Sequence, residues 1–162
     1  MGNAKPIKRH RAIAEFSRDH HYALLLVWKI REGLKRSVQA ERISQYVLFF
    51  FETKLLPHFK GEEELLYCQI PSGHKLRIQA VAEHTVMYRM IDDLKGNKQD
   101  SELLQKFAGI LENHVRFEER QLFNYLQENI PESELSKIES GLKVREHVSE
   151  TGWADAFWEE KK

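Results

Sequence analysis

Apolar residues recur every three or four positions in four long segments of the chain, which is the spacing of one face of an α-helix. No segment alternates between apolar and polar residues as a half-buried strand does. The predicted helices run over about 17–34, over about 40–67, from the turn at 71–73 to residue 95, and over about 101–129. Connections of a few residues favour antiparallel neighbours. The pattern therefore predicts an all-α fold, an up-down-up-down four-helix bundle over about 17–129.

Local signals refine the first two helices. Ser17 is predicted to cap the first helix, because a serine hydroxyl can accept a hydrogen bond from a free N–H of the first turn. Pro57 lies inside the second helix, where it lacks a backbone N–H, so we expect a kink directly before His58. The predicted inner stripe of the first helix is His20, Leu24, Val27, Ile30 and Leu34.

The C-terminal part, about 130–162, is predicted to extend the same domain, which then spans 1–162. A short helix is expected over 133–147, followed by a tail. The tail contains three large aromatic residues, Trp153, Phe157 and Trp158. Aromatic side chains gain most of their stabilisation by burial. We expect these three to pack on the outside of the bundle or on a partner chain, including a second copy of this chain.

The second and fourth helices contain the same short motif, H-x-x-x-E, at His58 with Glu62 and at His114 with Glu118. Residues four apart lie on one face of a helix, so the His and Glu of each pair can reach a common point. Both motifs lie on the apolar stripes of their helices, at 47, 51, 55, 58, 62 and 65 and at 107, 111, 114, 118, 122 and 125. Polar groups on a buried face need a hydrogen bond, an ion pair or a metal.

The first and third helices also repeat, since Asp19-His20 corresponds to Glu83-His84. Each half of the chain then supplies one His from its first helix and an H-x-x-x-E from its second. His21 points about a third of a turn away from its neighbour, and the repeat favours His20 as the inward residue. The remaining histidines have no predicted place in the repeat and are interpreted as surface residues: His10, His74 and His147.

Composition narrows the possible chemistry. The chain has 25 Lys and Arg against 25 Asp and Glu, so no field of one sign favours nucleic acid or an anionic surface. Its longest apolar runs, 22–28 and 46–51, are far too short to span a membrane. No secretory signal is visible, and we expect a cytoplasmic protein. Cys68 is the single cysteine, so a metal site must use His and carboxylate.

Four histidines and two glutamates on facing helices suit iron or manganese, and zinc less well. Because two carboxylates can bridge two ions, and two imidazoles can complete the binding of each, we predict a dinuclear centre. The candidate ligands are His20, His58, Glu62, His84, His114 and Glu118. Glu63 and Glu119 are predicted to be either exposed residues or partners that orient ligand imidazoles from outside, and not ligands themselves.

The order His, H-x-x-x-E, His, H-x-x-x-E resembles the hemerythrin-like, or HHE cation-binding, family over about residues 15–128. The resemblance implies a four-helix bundle and a carboxylate-bridged pair of iron ions that meets a small ligand such as O₂ or NO. Oxygen carriers of this family place a second His one turn after the ligand of the third helix, where this chain has Tyr88. The resemblance thus implies a coordination position left to water, a tyrosine oxygen or an exogenous ligand.

Three functions follow as hypotheses. The first is a di-iron protein that binds, senses or stores a small ligand or iron itself. The second is an enzyme that acts on peroxide or NO, or supplies iron for the repair of iron–sulfur clusters. The third is a metal-free helical interaction module in which the His and Glu residues form a buried hydrogen-bonded network.

Overall fold

The computed structural model describes residues 8–142 and 153–159, and this part of the chain contains helices and turns but no strand. Helix α1 spans Arg11–Lys35, and α3 spans Lys75–Gly96. Helix α2 runs over 40–69 and α4 over 101–129, each as a series of α-helical and wider π-helical turns. Helix α5 spans Glu132–Leu142. The predicted all-α fold is confirmed.

Each helix of the bundle lies between two others. Helices α1 and α3 both pack against α2 and against α4. Short connections at 36–39, 70–74 and 97–100 make successive helices antiparallel. The buried apolar side chains form two clusters, one around Phe50, Phe107 and Ile30 and the other around Phe16, Leu126 and Ile138. The polar groups of the candidate site lie where these two clusters meet.

The start of α1 differs from the prediction. The helix begins at Arg11, and the side chain of His10 accepts the hydrogen bond from Ala12 N at 3.0 Å. Ser17 lies inside α1 and donates its hydroxyl to Glu119 instead of capping the helix. Leu24, predicted to be inward, is 40% exposed. The stripe passes through Ala12, Phe16, His20, Ala23, Leu26, Val27, Ile30 and Gly33 because helical periodicity continues back from the earlier start.

Wide turns change the register of the two motif helices. A π-helical turn begins at each of the two candidate glutamates, over Glu62–Leu66 in α2 and over Glu118–Leu122 in α4. Such a turn contains one more residue than an α-helical turn. The buried stripe therefore advances by one position after it, from the predicted 65 to 66 and from the predicted 125 to 126.

A third π-helical turn, Phe51–Leu55, directly precedes the helical segment that contains Pro57. The N–H of Leu56 bonds to the carbonyl of Phe51, five residues back. Pro57 has no N–H to donate and its ring crowds the preceding turn. The wider turn provides a backbone path that accommodates this residue without ending α2.

The C-terminal residues pack on the bundle of the same chain. Helix α5 lies against α1 and against the π-helical turn Glu62–Leu66 of α2. The predicted extension of this helix to residue 147 lies outside the described residues. Phe157 is fully buried between Gly33 and Tyr46, and a Cβ at Gly33 would come within 2.7 Å of its ring. Trp153 stacks on Phe49. The C-terminal aromatic residues were predicted to pack on the bundle or on a partner chain, and in the structure they pack on the bundle.

Across residues 8–142 and 153–159, no helix is both long enough and apolar enough to cross a bilayer.

Candidate metal centre

Six polar side chains from all four bundle helices meet in the interior. One histidine comes from α1, one from α3, and a His and a Glu come from each of α2 and α4. All six are at most 4% exposed. They are the six candidates selected by the sequence repeat: His20, His58, Glu62, His84, His114 and Glu118. His21, the alternative in α1, is exposed.

The cluster divides into two overlapping groups, which we call half-site A and half-site B. Half-site A contains the histidines of α1 and α2, His20 and His58, and half-site B contains those of α3 and α4, His84 and His114. Each half-site also includes both glutamates, Glu62 and Glu118. In each group, one candidate ligand atom from every residue lies within 4.8 Å of the others. The two glutamates are therefore shared between the half-sites.

In half-site A the inward Nε2 atoms approach the shared carboxylates. His20 Nε2 lies 3.0 Å from Glu118 Oε1 and 3.7 Å from Glu62 Oε2. His58 Nε2 lies 3.2 Å from Glu62 Oε2, one turn along α2. Neither His58 Nε2 nor Glu62 Oε2 makes a hydrogen bond, although both atoms are buried. A bound cation would satisfy both atoms, since each can offer it a lone pair.

Half-site B approaches the other oxygen of Glu62, Oε1, and the same Oε1 atom of Glu118 that half-site A approaches. His84 Nε2 lies 3.2 Å from Glu62 Oε1, and His114 Nε2 lies 3.3 Å from Glu118 Oε1. The two Nε2 atoms are 3.1 Å apart. Two imidazole nitrogens with two shared carboxylates in each half-site make a donor set that fits two metal ions of intermediate hardness.

A carboxylate from a neighbouring helix binds the outer nitrogen of every one of these histidines. Since an ionised carboxylate can only accept, each Nδ1 donates its proton to the outer carboxylate, and Nε2 is left as the nitrogen that faces the interior of the cluster. The Nδ1···O distances are 2.6 Å for His20 with Glu119, 3.0 Å for His58 with Asp19, 2.7 Å for His84 with Glu63 and 2.6 Å for His114 with Glu83. The acids follow the bundle in a closed ring, in which each helix supports the histidine of the next.

This ring confirms the predicted orienting contacts of Glu63 and Glu119. The equivalent contacts of Asp19 and Glu83 were not predicted, although the repeat had marked both residues as neighbours of an inward histidine. Their partners are on the next helix, which adjacency in sequence cannot reveal. Arg9 and Ser17 in turn bind Glu119.

Without metal, the cluster holds protons tightly. Burial lowers the pKa of His58, but the charge of Glu62 and the bond to Asp19 outweigh burial and raise it to about 9. Burial raises the pKa of Glu62, yet the charge of His58 and several hydrogen bonds hold it well below its usual value. For the other inward histidines, burial is likewise outweighed by carboxylates and the pKa is raised: His20, His84 and His114. A cation entering this cluster would displace protons.

One residue of the centre was missed by the sequence interpretation. The hydroxyl of Tyr67 donates to Glu118 Oε2 at 2.5 Å and lies 3.1 Å from His84 Nε2. Tyr88, proposed for the position of a missing histidine, instead donates to Glu63 Oε2 at 2.6 Å, behind the imidazole of His84. The sequence did contain a signal for Tyr67. The repeat aligns it with Phe123, so only the first copy has a hydroxyl group at this position.

Two further histidines, which were given no place in the repeat, are partly exposed and have equivalent positions in it. His10 caps α1, and His74 caps α3 by accepting from Leu76 N at 3.1 Å. Each cap lies ten residues before the inward histidine of its helix, so both belong to the repeat. His147 lies outside the described residues.

Comparison with known families agrees with this geometry. The family model described as the hemerythrin HHE cation binding domain matches residues 11–126. Comparisons with curated proteins and with solved structures gave no significant match. The matched range begins at the first residue of α1 and ends in the last turns of α4, and it includes all six candidate ligands.

Proposed function

The chain belongs to the hemerythrin HHE cation-binding domain family, and from this premise we propose that it binds two iron ions bridged by Glu62 and Glu118. The observation that carries the proposal is the sharing of both glutamates by the two half-sites. Half-site A would contribute His20 and His58, and half-site B His84 and His114. His58 Nε2 and Glu62 Oε2 are buried without a hydrogen bond, which supports metal binding over a metal-free hydrogen-bonded network.

Iron is the proposed metal because the donors are imidazoles and carboxylates. Zinc in structural sites favours four ligands, often with thiolates among them, and Cys68 is exposed. Manganese accepts the same donors and is the main competitor. The ring of outer carboxylates would hold each imidazole with its Nε2 atom facing the metal, and the protons held by the metal-free cluster would leave as the metal binds.

We propose that the bound iron pair meets a small ligand such as O₂ or NO. A pair of iron ions can change oxidation state and offer an open position to a diatomic molecule. The proposed centre is shielded from bulk solvent, since the six polar groups are at most 4% exposed. An enzymatic role toward peroxide or NO would use the same centre, and turnover measurements separate it from binding.

Two finer proposals come from the sequence alone. We propose a cytoplasmic location, to be checked by fractionation of cells that express the chain. Trp153 and Trp158 stay partly exposed, and self-association at this surface is proposed, to be checked by sedimentation of the wild type and Trp153→Ala.

The direct experiment is an anaerobic titration of the metal-free protein with ferrous iron, followed by exposure to O₂ or NO. We expect saturation at about two ions per chain and a change in visible absorption when the gas is added. Metal analysis against manganese and zinc at equal concentrations tests the choice of metal. Saturation at a single ion, or spectra insensitive to both gases, would contradict the proposal.

A further inference from the structure

Tyr67 is held deep in the interior by the end of α2. The wide turn Glu62–Leu66 ends directly before it, and a short 3-10 turn, Tyr67–Gln69, follows. The residue is 1% exposed. The extra residue of the wide turn advances the helix register, so Tyr67 continues the buried stripe after Glu62.

The phenol oxygen of Tyr67 contacts the atoms proposed to bind metal in half-site B. It lies 2.5 Å from Glu118 Oε2, 3.1 Å from His84 Nε2 and 3.4 Å from Glu62 Oε1. An oxygen within hydrogen-bonding distance of three such atoms occupies the region where they converge.

Other tyrosines near the bundle core are directed elsewhere. The hydroxyl of Tyr88 is bound to Glu63, on the far side of the His84 ring. The hydroxyl of Tyr46 accepts from Lys29 at 2.9 Å, in the region covered by the C-terminal aromatics. In half-site A, the position equivalent to Tyr67 is Phe123, which brings no oxygen.

We infer that Tyr67 is a fifth protein ligand of half-site B, binding ferric iron through its phenol oxygen. The inference rests on the proposed iron pair. Coordination replaces the O–H bond of Tyr67 by an O–Fe bond, and the proton that was shared with Glu118 is released to solvent. The oxidation state of the iron does not change in this step. Phenolate is a known protein ligand of ferric iron.

The two proposed ions then differ in their protein ligands. Half-site B has two imidazoles, two shared carboxylates and the phenolate, whereas half-site A has two imidazoles and the two carboxylates. Half-site A has one protein ligand fewer and is therefore the more open of the two to a small ligand. This differs from the expectation that the position of Tyr88 leaves the opening in half-site B.

The test is optical and does not depend on any activity. Wild-type protein is loaded with two equivalents of iron, oxidised, and measured by visible absorption and by resonance Raman scattering. We expect a phenolate-to-iron charge-transfer band whose excitation enhances tyrosine ring vibrations. Tyr67→Phe should abolish the band, while Tyr88→Phe and Tyr46→Phe, as matched controls, should retain it. Iron content and circular dichroism are measured on every sample.

The outcomes separate this inference from the proposed function. Wild type that fails to bind two iron ions would contradict the iron pair itself. Wild type that binds two ions but shows no tyrosine-enhanced band, or a band that survives in folded Tyr67→Phe, would overturn the role of Tyr67 alone. If Tyr67→Phe does not fold, single Phe replacements at the other four of the five tyrosines decide the question. A band retained in all four assigns the ligand to Tyr67, and loss in one of them overturns the inference.

Discussion

Half-sites A and B are built from equivalent positions of the repeat, and yet they are not equivalent in chemistry. Each has one His from the first helix of a hairpin and one from an H-x-x-x-E motif. In half-site B, Tyr67 brings a phenol oxygen to Glu118 and His84. In half-site A, the ring of Phe123 lies parallel to the ring of His20, with centroids 5.2 Å apart.

The surroundings of the two half-sites differ as well. The outer acids of half-site B, Glu63 and Glu83, have side chains that are 28% and 25% exposed. Asp19, which supports His58 in half-site A, is 43% exposed. Half-site A is thus the side with a carboxylate nearer to solvent and fewer oxygen donors. The near-symmetric cluster is thus differentiated by the hydroxyl group of Tyr67 and by how exposed its outer carboxylates are.

The largest effect is expected when a shared ligand is removed, because this damages both half-sites at once. Glu118→Ala should lose most of the bound iron, together with a stabilisation of about 4 kcal/mol when free iron is 1,000 times the dissociation constant. Thermal unfolding with and without iron measures this loss. The control is Glu64→Ala, an exposed residue of the same helical turn as Glu62. Similar losses in both variants would contradict the assignment of shared ligands.

Removal of one imidazole should distinguish the half-sites. His58→Ala leaves half-site A with one imidazole and the shared carboxylates, whereas His114→Ala leaves half-site B with Tyr67 in addition. We expect His58→Ala to retain about one iron ion per chain and His114→Ala to retain more, since four donors can still complete a site. Iron titration measures the difference. If both variants retained the same amount of iron, the proposed difference between the half-sites would be contradicted.

A third prediction concerns pH and starts from His58. Its folded pKa of about 9 lies above the unfolded value of 6.5. In the metal-free protein, the resulting stability is therefore fully present below pH 6.5 and is lost as the pH rises to about 9. The shift corresponds to at most about 3 kcal/mol. Iron binding displaces the same protons, so the stabilisation by iron should grow over this window.

Denaturant unfolding at pH 6 and pH 9, with and without iron, measures both trends. His147→Gln provides a matched control that removes a histidine outside the bundle helices. A metal-free protein whose stability rises over this window would contradict the protonated state inferred for His58.

A smaller effect is expected when the missing oxygen is added to half-site A. Phe123→Tyr gives both half-sites the same set of side chains. If the open position is in half-site A, the affinity of the oxidised protein for azide should fall by about tenfold, because the new hydroxyl competes for that position. Optical titration with azide measures the change, and Phe117→Tyr, at a neighbouring buried position, is the control. An unchanged affinity would place the opening elsewhere.

An effect of similar size is expected from the outer carboxylates, whose loss typically weakens metal binding by about tenfold or somewhat more. Asp19→Asn should weaken iron binding less than Glu83→Gln. The contact of Asp19 with His58 is 3.0 Å long and more exposed, whereas Glu83 binds His114 at 2.6 Å. Competition with a chelator measures the two affinities. The reverse order would show that exposure does not govern these contacts.

Much of the fold and of the site could be predicted because helical periodicity and internal repetition are properties of the sequence. The repeat selected four of the eight histidines, and the structure brings all four together. Interpretations that depended on the local path of the backbone were less successful. His10 caps α1 in place of Ser17, because a cap is defined by where the helix starts and a single-residue preference does not determine that start.

The wide turns explain the remaining misses. A π-helical turn is stabilised by packing and by satisfied polar groups, not by a residue preference that can be read from the sequence. Its extra residue moved the buried stripe to Leu66 and Leu126 and continued it through Tyr67. Tyr88, one helical turn after His84, was the natural candidate from spacing alone.

The sequence by itself determined the helical segments, their order and the polar residues on their apolar faces, because all of these follow from spacing along one helix. Only the tertiary structure decided which atoms meet. The ring of outer acids joins neighbouring helices, and Tyr67 of α2 reaches His84 of α3 and Glu118 of α4. Contacts between helices depend on their relative rotation and on local turn width, which come from packing of the whole core.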